Sequence, residues 1–119
     1  HWISLPRELE VAYQRLYALY DPALYPTVPD DMLVVIKEIR RRVAESFAFV
    51  QDERRRRDHR KEIIEPMMIV QSAELLAKKG EMAIMRKDRR ESTTCFAKAL
   101  ELIPGRPDFR EGFQRASGI

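Results

Sequence analysis

MLVVIKEIRRRVAESFAFVQDERRRRDHR, residues 32–60, joins an amphipathic segment to a dense run of arginines. The apolar side chains of its first part recur in steps of three and four residues, as the buried face of a helix requires. They are Met32, Ile36, Ile39, Val43, Phe47 and Val50. The pattern predicts a helix from about Asp31 to Gln51. A second, short and solvated helix is expected to begin at Asp52-Glu53 and to carry the arginines.

The rest of the sequence is also typical of helices. Helical periodicity covers residues 6–20, 68–85 and 89–102, and a short last helix follows Pro107. No strand-like alternation of useful length occurs, and the chain has only four glycines with 34% charged residues. The sequence therefore predicts an all-α fold of five to seven helices.

Helix ends and inward faces follow from the same patterns. Pro66 is expected to bend or restart a helix, and Asp30, Asp31 and Asp108 are expected to supply side-chain caps at helix N-termini. The two longest helices of the second half are predicted to point these side chains inward: Val70, Ala73, Leu76, Ala77, Gly80, Ala83 and Ile84, then Phe96, Ala99, Leu100 and Ile103.

Charge is distributed unevenly along the chain. Residues 1–31 carry a net charge of −3, residues 32–61 carry +5 and residues 62–119 carry +1. A basic middle beside an acidic start indicates either pairing within the molecule or an acidic partner.

The composition argues against several classes of protein. A single cysteine, Cys95, permits no internal disulfide and no thiolate zinc cluster, and it fits a reducing, cytoplasmic compartment. No apolar run approaches the roughly 20 residues of a membrane span, and no signal-peptide pattern opens the chain. We therefore expect no contact with a membrane.

No catalytic or metal-binding constellation is predicted. His1 and His59 have no second histidine, cysteine or paired carboxylate at the spacing of metal ligands. Cys95 has no histidine near it in sequence and is expected to be a small, partly buried side chain. Asp21 is expected to cap its loop. The sequence therefore predicts a protein that is not an enzyme and holds no cofactor.

Residues 12–20, AYQRLYALY, resemble the second helix of a J-domain, the module by which DnaJ-type co-chaperones engage DnaK-type ATPases. The third-helix signature of that family is similar to residues 43–52, VAESFAFVQD, followed by Arg56 and His59. The resemblance covers about residues 3–60.

The family's loop after the second helix carries His-Pro-Asp, which stimulates the ATPase. Here Asp21, Pro22 and Ala23 stand at those places, so only the proline is kept. The second helix of the family is also strongly basic, whereas Arg15 is the only internal cation of this one. The resemblance implies a degenerate J-like scaffold that has lost the co-chaperone function.

The second half resembles a single tetratricopeptide repeat, a pair of antiparallel helices that works by stacking. With Ala73 at the first position of the repeat, Lys79 stands where the family usually has leucine. The resemblance implies that the helices pack through Gly80, Ser92, Phe96 and Ala99, and that Pro104 ends the second helix. Phe109 and Phe113 then resemble part of a third helix that closes the open edge of the repeat.

A J-like region at residues 1–62 followed by a tetratricopeptide-like hairpin with a closing C-terminal helix at residues 63–119 is similar to C-terminal regions of multidomain bacterial regulatory proteins. Because one such repeat cannot bury its apolar face alone, we expect the J-like helices to pack on the hairpin in one shared core, or the chain to dimerise. The expected function is a non-catalytic protein–protein interaction or scaffold module. Its partner would be another protein or a second copy of the chain.

Two surfaces are candidates for that partner. One is the edge of the hairpin, expected to be exposed and formed by Leu76, Lys79, Ala83, Phe109 and Phe113. The other is the basic segment, formed by Arg54, Arg55, Arg56, Arg57 and Arg60.

Two further functions are alternatives. A co-chaperone would stimulate a DnaK-type ATPase, which the missing His-Pro-Asp argues against. A nucleic-acid-binding helical module would use the arginines on phosphates in a salt-dependent manner. Consecutive residues point around the whole circumference of a helix, however, and Asp52, Glu53 and Asp58 interleave with them. We therefore expect the arginines to be solvated or paired within the molecule, with a partner-protein contact as the second interpretation.

The methionines of the second half also allow two interpretations. Met67, Met68, Met82 and Met85 either belong to the core or line an adaptable groove.

Overall fold

The computed structural model describes residues 2–119, and the expectation for His1 lies outside them. Six α-helices are joined by short connections, with a 3₁₀ turn at Pro22–Leu24. The helices are α1 (Pro6–Leu19), α2 (Asp30–Gln51), α3 (Glu53–Ile63), α4 (Pro66–Met85), α5 (Arg89–Leu102) and α6 (Pro107–Ser117). Residues 2–119 contain no strand, so the predicted all-α class is confirmed.

The chain divides into two compact units. One is residues 6–58, and the other combines residues 2–5 with residues 59–119. We call them the α1–α2 unit and the α4–α6 unit, after the helices that form them.

The α1–α2 unit is a pair of packed helices. The Tyr13 ring lies on Phe47, and the Tyr17 ring lies under the guanidinium of Arg40, so positions further along α1 meet earlier positions on α2. The two helices are therefore antiparallel. None of the hydrophobic side chains of residues 6–58 is fully buried, because two helices alone have no third layer against which to bury a shared face.

The α4–α6 unit has a closed core. α4 and α5 form a hairpin, and α6 packs against both. The buried hydrophobic residues are Ile69, Ala73, Ala83, Cys95, Phe96, Ala99, Leu102, Phe109 and Ala116. The small residues among them let the helix backbones approach closely, and Phe96 fills the space between them.

The inward face of α4 differs from the prediction at one position. Val70 is exposed, and Ile69 is buried in its place. Leu76, Ala77 and Ile84 are half-buried. Phe96 and Ala99 are buried and Leu100 and Ile103 are half-buried, as expected. Ser92 and Cys95 are buried too, and Leu102, which was not predicted to point inward, joins them.

The connection between α4 and α5 is a helix-ending motif built on a left-handed residue. Lys87 has a φ of 57°, and its N–H donates to the carbonyl of Ile84 at 2.9 Å. The N–H of Asp88 donates to the carbonyl of Ala83 at 2.9 Å. This pair of bonds is the Schellman arrangement, which usually places glycine where Lys87 stands. Asp88 then starts α5, because its carboxylate accepts the N–H of Glu91 at 3.0 Å.

The other helix starts only partly follow the prediction. Pro66 begins α4, which confirms the expected restart. Asp30 and Asp31 lie inside the first turn of α2, and the N-cap is Pro29 with no side-chain bond. Asp108 likewise lies inside α6, after an N-cap at Arg106.

The side-chain caps expected from these three aspartates are therefore wrong. Pro29, directly before Asp30, fixes the start of α2, and Pro107, directly before Asp108, fixes the start of α6. The carboxylates still stand at the positive end of the helix dipole.

Candidate interaction surfaces

An open apolar groove runs along the α1–α2 unit. Its volume is about 430 Å³. The lining residues are Leu9, Ala12, Tyr13, Leu16, Ile39, Arg42, Val43, Ser46, Phe47 and Val50. The predicted apolar stripe of residues 32–50 therefore contributes to a groove wall, and Met32, its first member, is half exposed.

Aromatic contacts hold the two walls of the groove together. The rings of Tyr13 and Phe47 are stacked with centroids 4.3 Å apart. The guanidinium carbon of Arg40 lies 3.7 Å from the centroid of the Tyr17 ring, and its Nε donates to the Tyr17 carbonyl at 3.1 Å. These contacts fix α1 on α2, so the groove exists before anything occupies it.

Charged side chains form a cluster at one rim of the groove. The Glu38 carboxylate accepts from the Nε of Arg41 at 3.0 Å and from the Nε of Arg42 at 3.1 Å. Hydrogen bonds from these two guanidinium groups lower the pKa of Glu38 from 4.5 to about 2. Arg41 also pairs with Glu45. The cluster leaves the groove with an apolar floor and polar groups at its edge.

The loop at Asp21, Pro22 and Ala23 is held by local bonds. The carboxylate of Asp21 accepts the N–H of Ala23 at 3.0 Å and so caps the 3₁₀ turn, as predicted. The hydroxyl of Tyr25 donates to the carbonyl of Leu19 at 2.9 Å. The carboxylate is therefore used in shaping the chain where it leaves α1.

The basic segment is not uniformly solvated. Arg56 is buried, and its Nη1 donates to the Val50 carbonyl at 2.9 Å and to the Gln51 carbonyl at 3.4 Å. It thereby satisfies carbonyls that the end of α2 leaves without helical partners. Arg54 and Arg55 are exposed, and Arg57 pairs with Glu53.

Arg60 is also buried, in the core of the α4–α6 unit. Its Nη2 lies 3.1 Å from Oε1 of Glu101, and the two side chains are 4% and 7% exposed. Its Nε donates to the Trp2 carbonyl at 2.9 Å and its Nη1 to the Glu101 carbonyl at 3.3 Å. Arg56 and Arg60 therefore pair within the molecule, in line with the first interpretation of the arginines, and their burial removes both from the candidate partner-binding residues. Arg54, Arg55 and Arg57 stay candidates.

Part of the hairpin edge that was expected to be exposed is buried. Ala83 and Phe109 are buried, so the expected exposure of these two side chains is wrong. α6 turns Phe109, Gly112 and Ala116 inward, at steps of three and four, and leaves Phe113 half-buried. Leu76 is also half-buried and Lys79 is exposed.

The residues expected to pack the hairpin meet at Phe96. Gly80, Ser92, Phe96 and Ala99 are buried, whereas Pro104 lies exposed beyond the end of α5. A Cβ placed on Gly80 would come within 2.6 Å of the Phe96 ring. Gly112 of α6 approaches the other side of the ring. Gly112 was not predicted as a packing residue. Its position three residues after Phe109, on the inward face of the same helix, could have indicated it.

The structure offers no metal site among residues 2–119, where no three His, Cys, Asp or Glu side chains converge. His59 lies 3.7 Å from the Glu62 carboxylate. Cys95 is buried, and burial raises the pKa of its thiol. Within the same residues, no helix has the length and apolar composition needed to cross a membrane.

Known proteins give no further guide to these surfaces. No family model, no curated protein and no solved structure matches the chain.

Proposed function

We propose that this chain is a non-catalytic protein-interaction module that binds a helix of a partner protein in the groove of its α1–α2 unit. In this proposal it is a degenerate J-like scaffold followed by a tetratricopeptide-like hairpin, within a larger cytoplasmic bacterial regulatory protein. The observation that carries the proposal is the groove, which is apolar, open and shaped by fixed aromatic contacts.

The α4–α6 unit of the same chain supports the choice of a helix as the occupant. There the α4–α5 pair is closed by a third helix, whose Phe109 is buried in the core. The α1–α2 pair has no such third member within residues 6–58. A helix laid along two others is the usual way to complete such a core.

The dimensions of the groove fit one short helix. The lining residues of α2 run from Ile39 to Val50, a span of roughly 17 Å at 1.5 Å per residue. That length corresponds to about three helical turns. The partner segment is therefore an amphipathic helix that presents a few apolar side chains to Val43 and Phe47, with polar residues towards Arg42.

The two alternative functions have weaker support. An active co-chaperone would need the imidazole and the carboxylate of the His-Pro-Asp loop, and the one carboxylate present, on Asp21, caps the loop. A nucleic-acid-binding helix would need its arginines on one side, whereas Arg56 and Arg60 are buried.

Site-specific photo-crosslinking tests the proposal. A photoreactive amino acid at Leu16, in the groove, should form an adduct with a partner polypeptide in cells. The same group at Val34, which is exposed on α2 outside the groove, is the matched control. A purified peptide that spans the crosslinked segment should bind the chain in a calorimetric titration, and Val43→Glu should weaken that binding at least tenfold.

Other outcomes of these experiments would contradict the proposal. Equal adducts at Leu16 and Val34, or a crosslinked peptide that does not bind, would reject the groove as the site. An adduct between two copies of the chain would identify the occupant as a second copy. Stimulation of a DnaK-type ATPase by the purified chain would favour the co-chaperone.

A further inference from the structure

The outer face of α4 carries a continuous stripe of exposed apolar side chains. Met67, Met68, Leu75, Met82 and Met85 are 66%, 51%, 55%, 57% and 82% exposed, respectively. We call these five residues the α4 stripe. Of the two interpretations that the sequence allowed for its methionines, the structure excludes the core.

The spacing of these residues explains why they share a face. Met68, Leu75 and Met82 are seven residues apart, and seven residues make almost two helical turns. Met67 and Met85 are 18 residues apart, which is five turns. The α4 stripe therefore follows the helix for roughly 27 Å, on the side opposite the buried Ala73 and Gly80.

The cations beside the α4 stripe are available to a partner. Lys78 and Lys79 lie among the stripe residues on the helix, and neither forms an ion pair with another of the described residues. A basic margin therefore accompanies the exposed apolar side chains.

The nearby acids of α4 are already neutralised. Glu74 lies 3.5 Å from Arg106, and Glu81 accepts a bond from Arg115 at 3.0 Å. Both arginines belong to the α6 side of the same unit. The charge that the side chains of α4 leave without an ion pair is therefore positive, and it favours an occupant of the opposite charge.

We propose that the α4 stripe is a second docking surface, distinct from the groove, which binds an amphipathic helix whose apolar residues are flanked by aspartate or glutamate. Methionine side chains are unbranched and polarisable, so they adapt to the shape of an incoming apolar face. Lys78 and Lys79 supply the specificity, because a basic partner helix would be repelled.

A protein helix fits this face better than an anionic membrane. Helices that lie in a membrane surface carry tryptophan, phenylalanine and leucine on the apolar side and many cations at its edges. The α4 stripe has no aromatic side chain, and the cations that lie among its residues on α4 are two lysines, Lys78 and Lys79. Its extent of roughly 27 Å along one helix also matches the length of a partner helix.

The methionines themselves provide the readout. The chain has five methionines, four in the α4 stripe and one, Met32, in the α1–α2 unit. The probe is a synthetic helical peptide of about three heptads, with leucine at the a and d positions and glutamate at e and g. In ¹³C-methyl spectra of the full chain, the signals of Met67, Met68, Met82 and Met85 should shift as the peptide is added, while Met32 stays unchanged.

Charge reversal sharpens the test. Lys78→Glu/Lys79→Glu should weaken binding of the acidic peptide at least tenfold and should create binding of a matched peptide in which every glutamate is lysine. Lys37→Glu, an exposed lysine of the other unit, is the matched control and should change neither affinity. Thermal unfolding should show that both variants keep the fold.

Several results would overturn the proposal. These are the absence of methyl shifts at millimolar peptide, equal binding of the acidic and basic peptides, and shifts at Met32 equal to those of the stripe. Phosphatidylserine vesicles that shift the four signals when the acidic peptide does not would assign the stripe to a membrane instead.

Discussion

The ring of Phe96 lies directly against the backbone of Gly112, so that a Cβ built at Gly112 would overlap the ring. Gly80 holds the opposite position on α4, where a Cβ would come within 2.6 Å of the same ring. One aromatic side chain of α5 is therefore enclosed between glycines of the two neighbouring helices. This arrangement sets the distances among α4, α5 and α6.

Gly112→Ala should destabilise the α4–α6 unit. The added methyl group must displace Phe96, and overpacking of this kind costs about 1–3 kcal/mol. The better helix propensity of alanine returns at most about 1 kcal/mol. The midpoint of urea unfolding should therefore fall.

Gly105→Ala is the matched control, because open space surrounds Gly105 in its turn. Its unfolding midpoint should stay within error of that of the unchanged chain. Phe96→Leu should restore part of the stability lost in Gly112→Ala. Equal midpoints for Gly112→Ala and Gly105→Ala would contradict the close approach.

Arg60→Ala should destabilise the same unit strongly. It leaves the buried carboxylate of Glu101 without this counter-charge, a loss of about 3–5 kcal/mol for a buried pair. The bond from Arg60 to the Trp2 carbonyl is also lost. Because Trp2 is the only tryptophan, its fluorescence emission should move to longer wavelength as the segment becomes more hydrated.

Arg54→Ala provides the comparison for Arg60. The Arg54 side chain is fully solvated apart from a long contact to Asp58 at 3.9 Å, so its removal should change stability by less than about 0.5 kcal/mol. In a double-mutant cycle, Arg60→Met with Glu101→Met should cost less than the sum of the single changes. Additive effects would mean that the pair does not interact.

Lys87→Gly should stabilise the chain. A residue with a side chain at a φ of 57° carries strain that glycine lacks, and relief is expected to contribute about 0.5–1 kcal/mol. The melting temperature should rise by a few degrees. The same change at Lys78, inside α4, should lower stability by a comparable amount, since glycine is a poor helix former. A fall in melting temperature for Lys87→Gly would be inconsistent with the left-handed conformation.

The Glu38 cluster should make the α1–α2 unit sensitive to acid. The pKa of Glu38 in the folded chain is lowered from 4.5 to about 2 by bonds from Arg41 and Arg42. Because the folded pKa is the lower one, the stabilisation is complete above pH 4.5 and is lost as the pH falls towards 2. The carboxyl carbon of Glu38 should titrate in this range by NMR.

The same titration in Arg41→Ala/Arg42→Ala identifies the cause. Without both guanidinium groups, the pKa of Glu38 should return towards 4.5. High salt should shift the wild-type pKa in the same direction, because the cluster is exposed and therefore screened. A wild-type pKa near 4.5 would show that the cluster does not persist in solution.

Most helix bounds could be predicted from the sequence because they depend on neighbouring residues. Prolines, capping side chains and apolar residues three or four apart act within one or two helical turns. The predicted bounds of α5, residues 89–102, agree with those in the structure. The break after Met85 was also expected, although its cause, Lys87 in a left-handed conformation, was not. The side-chain caps failed where a proline one position earlier fixed the start of the helix.

The candidate surfaces could be predicted only in part. Met67, Met68, Met82 and Met85 were identified as residues of either a core or a groove, and periodicity alone does not distinguish the two faces of α4. Arg56 and Arg60 belong to a run of arginines that was expected to be either solvated or paired within the molecule, and the structure decides for pairing: carbonyls at the end of α2 and the carboxylate of Glu101 accept hydrogen bonds from them. The partners of Arg60 lie 58 and 41 residues away along the chain, beyond any local pattern.

Local residue order was thus sufficient to specify an all-helical chain and where most of its helices begin and end. The packing of distant helices decided which faces are covered. It enclosed Phe96 between two glycines, buried Ala83 and Phe109, and left the α1–α2 groove and the α4 stripe open. The physical reason is that each backbone hydrogen bond of a helix joins residues four apart in the chain, whereas the burial of a side chain depends on which distant segments pack against it.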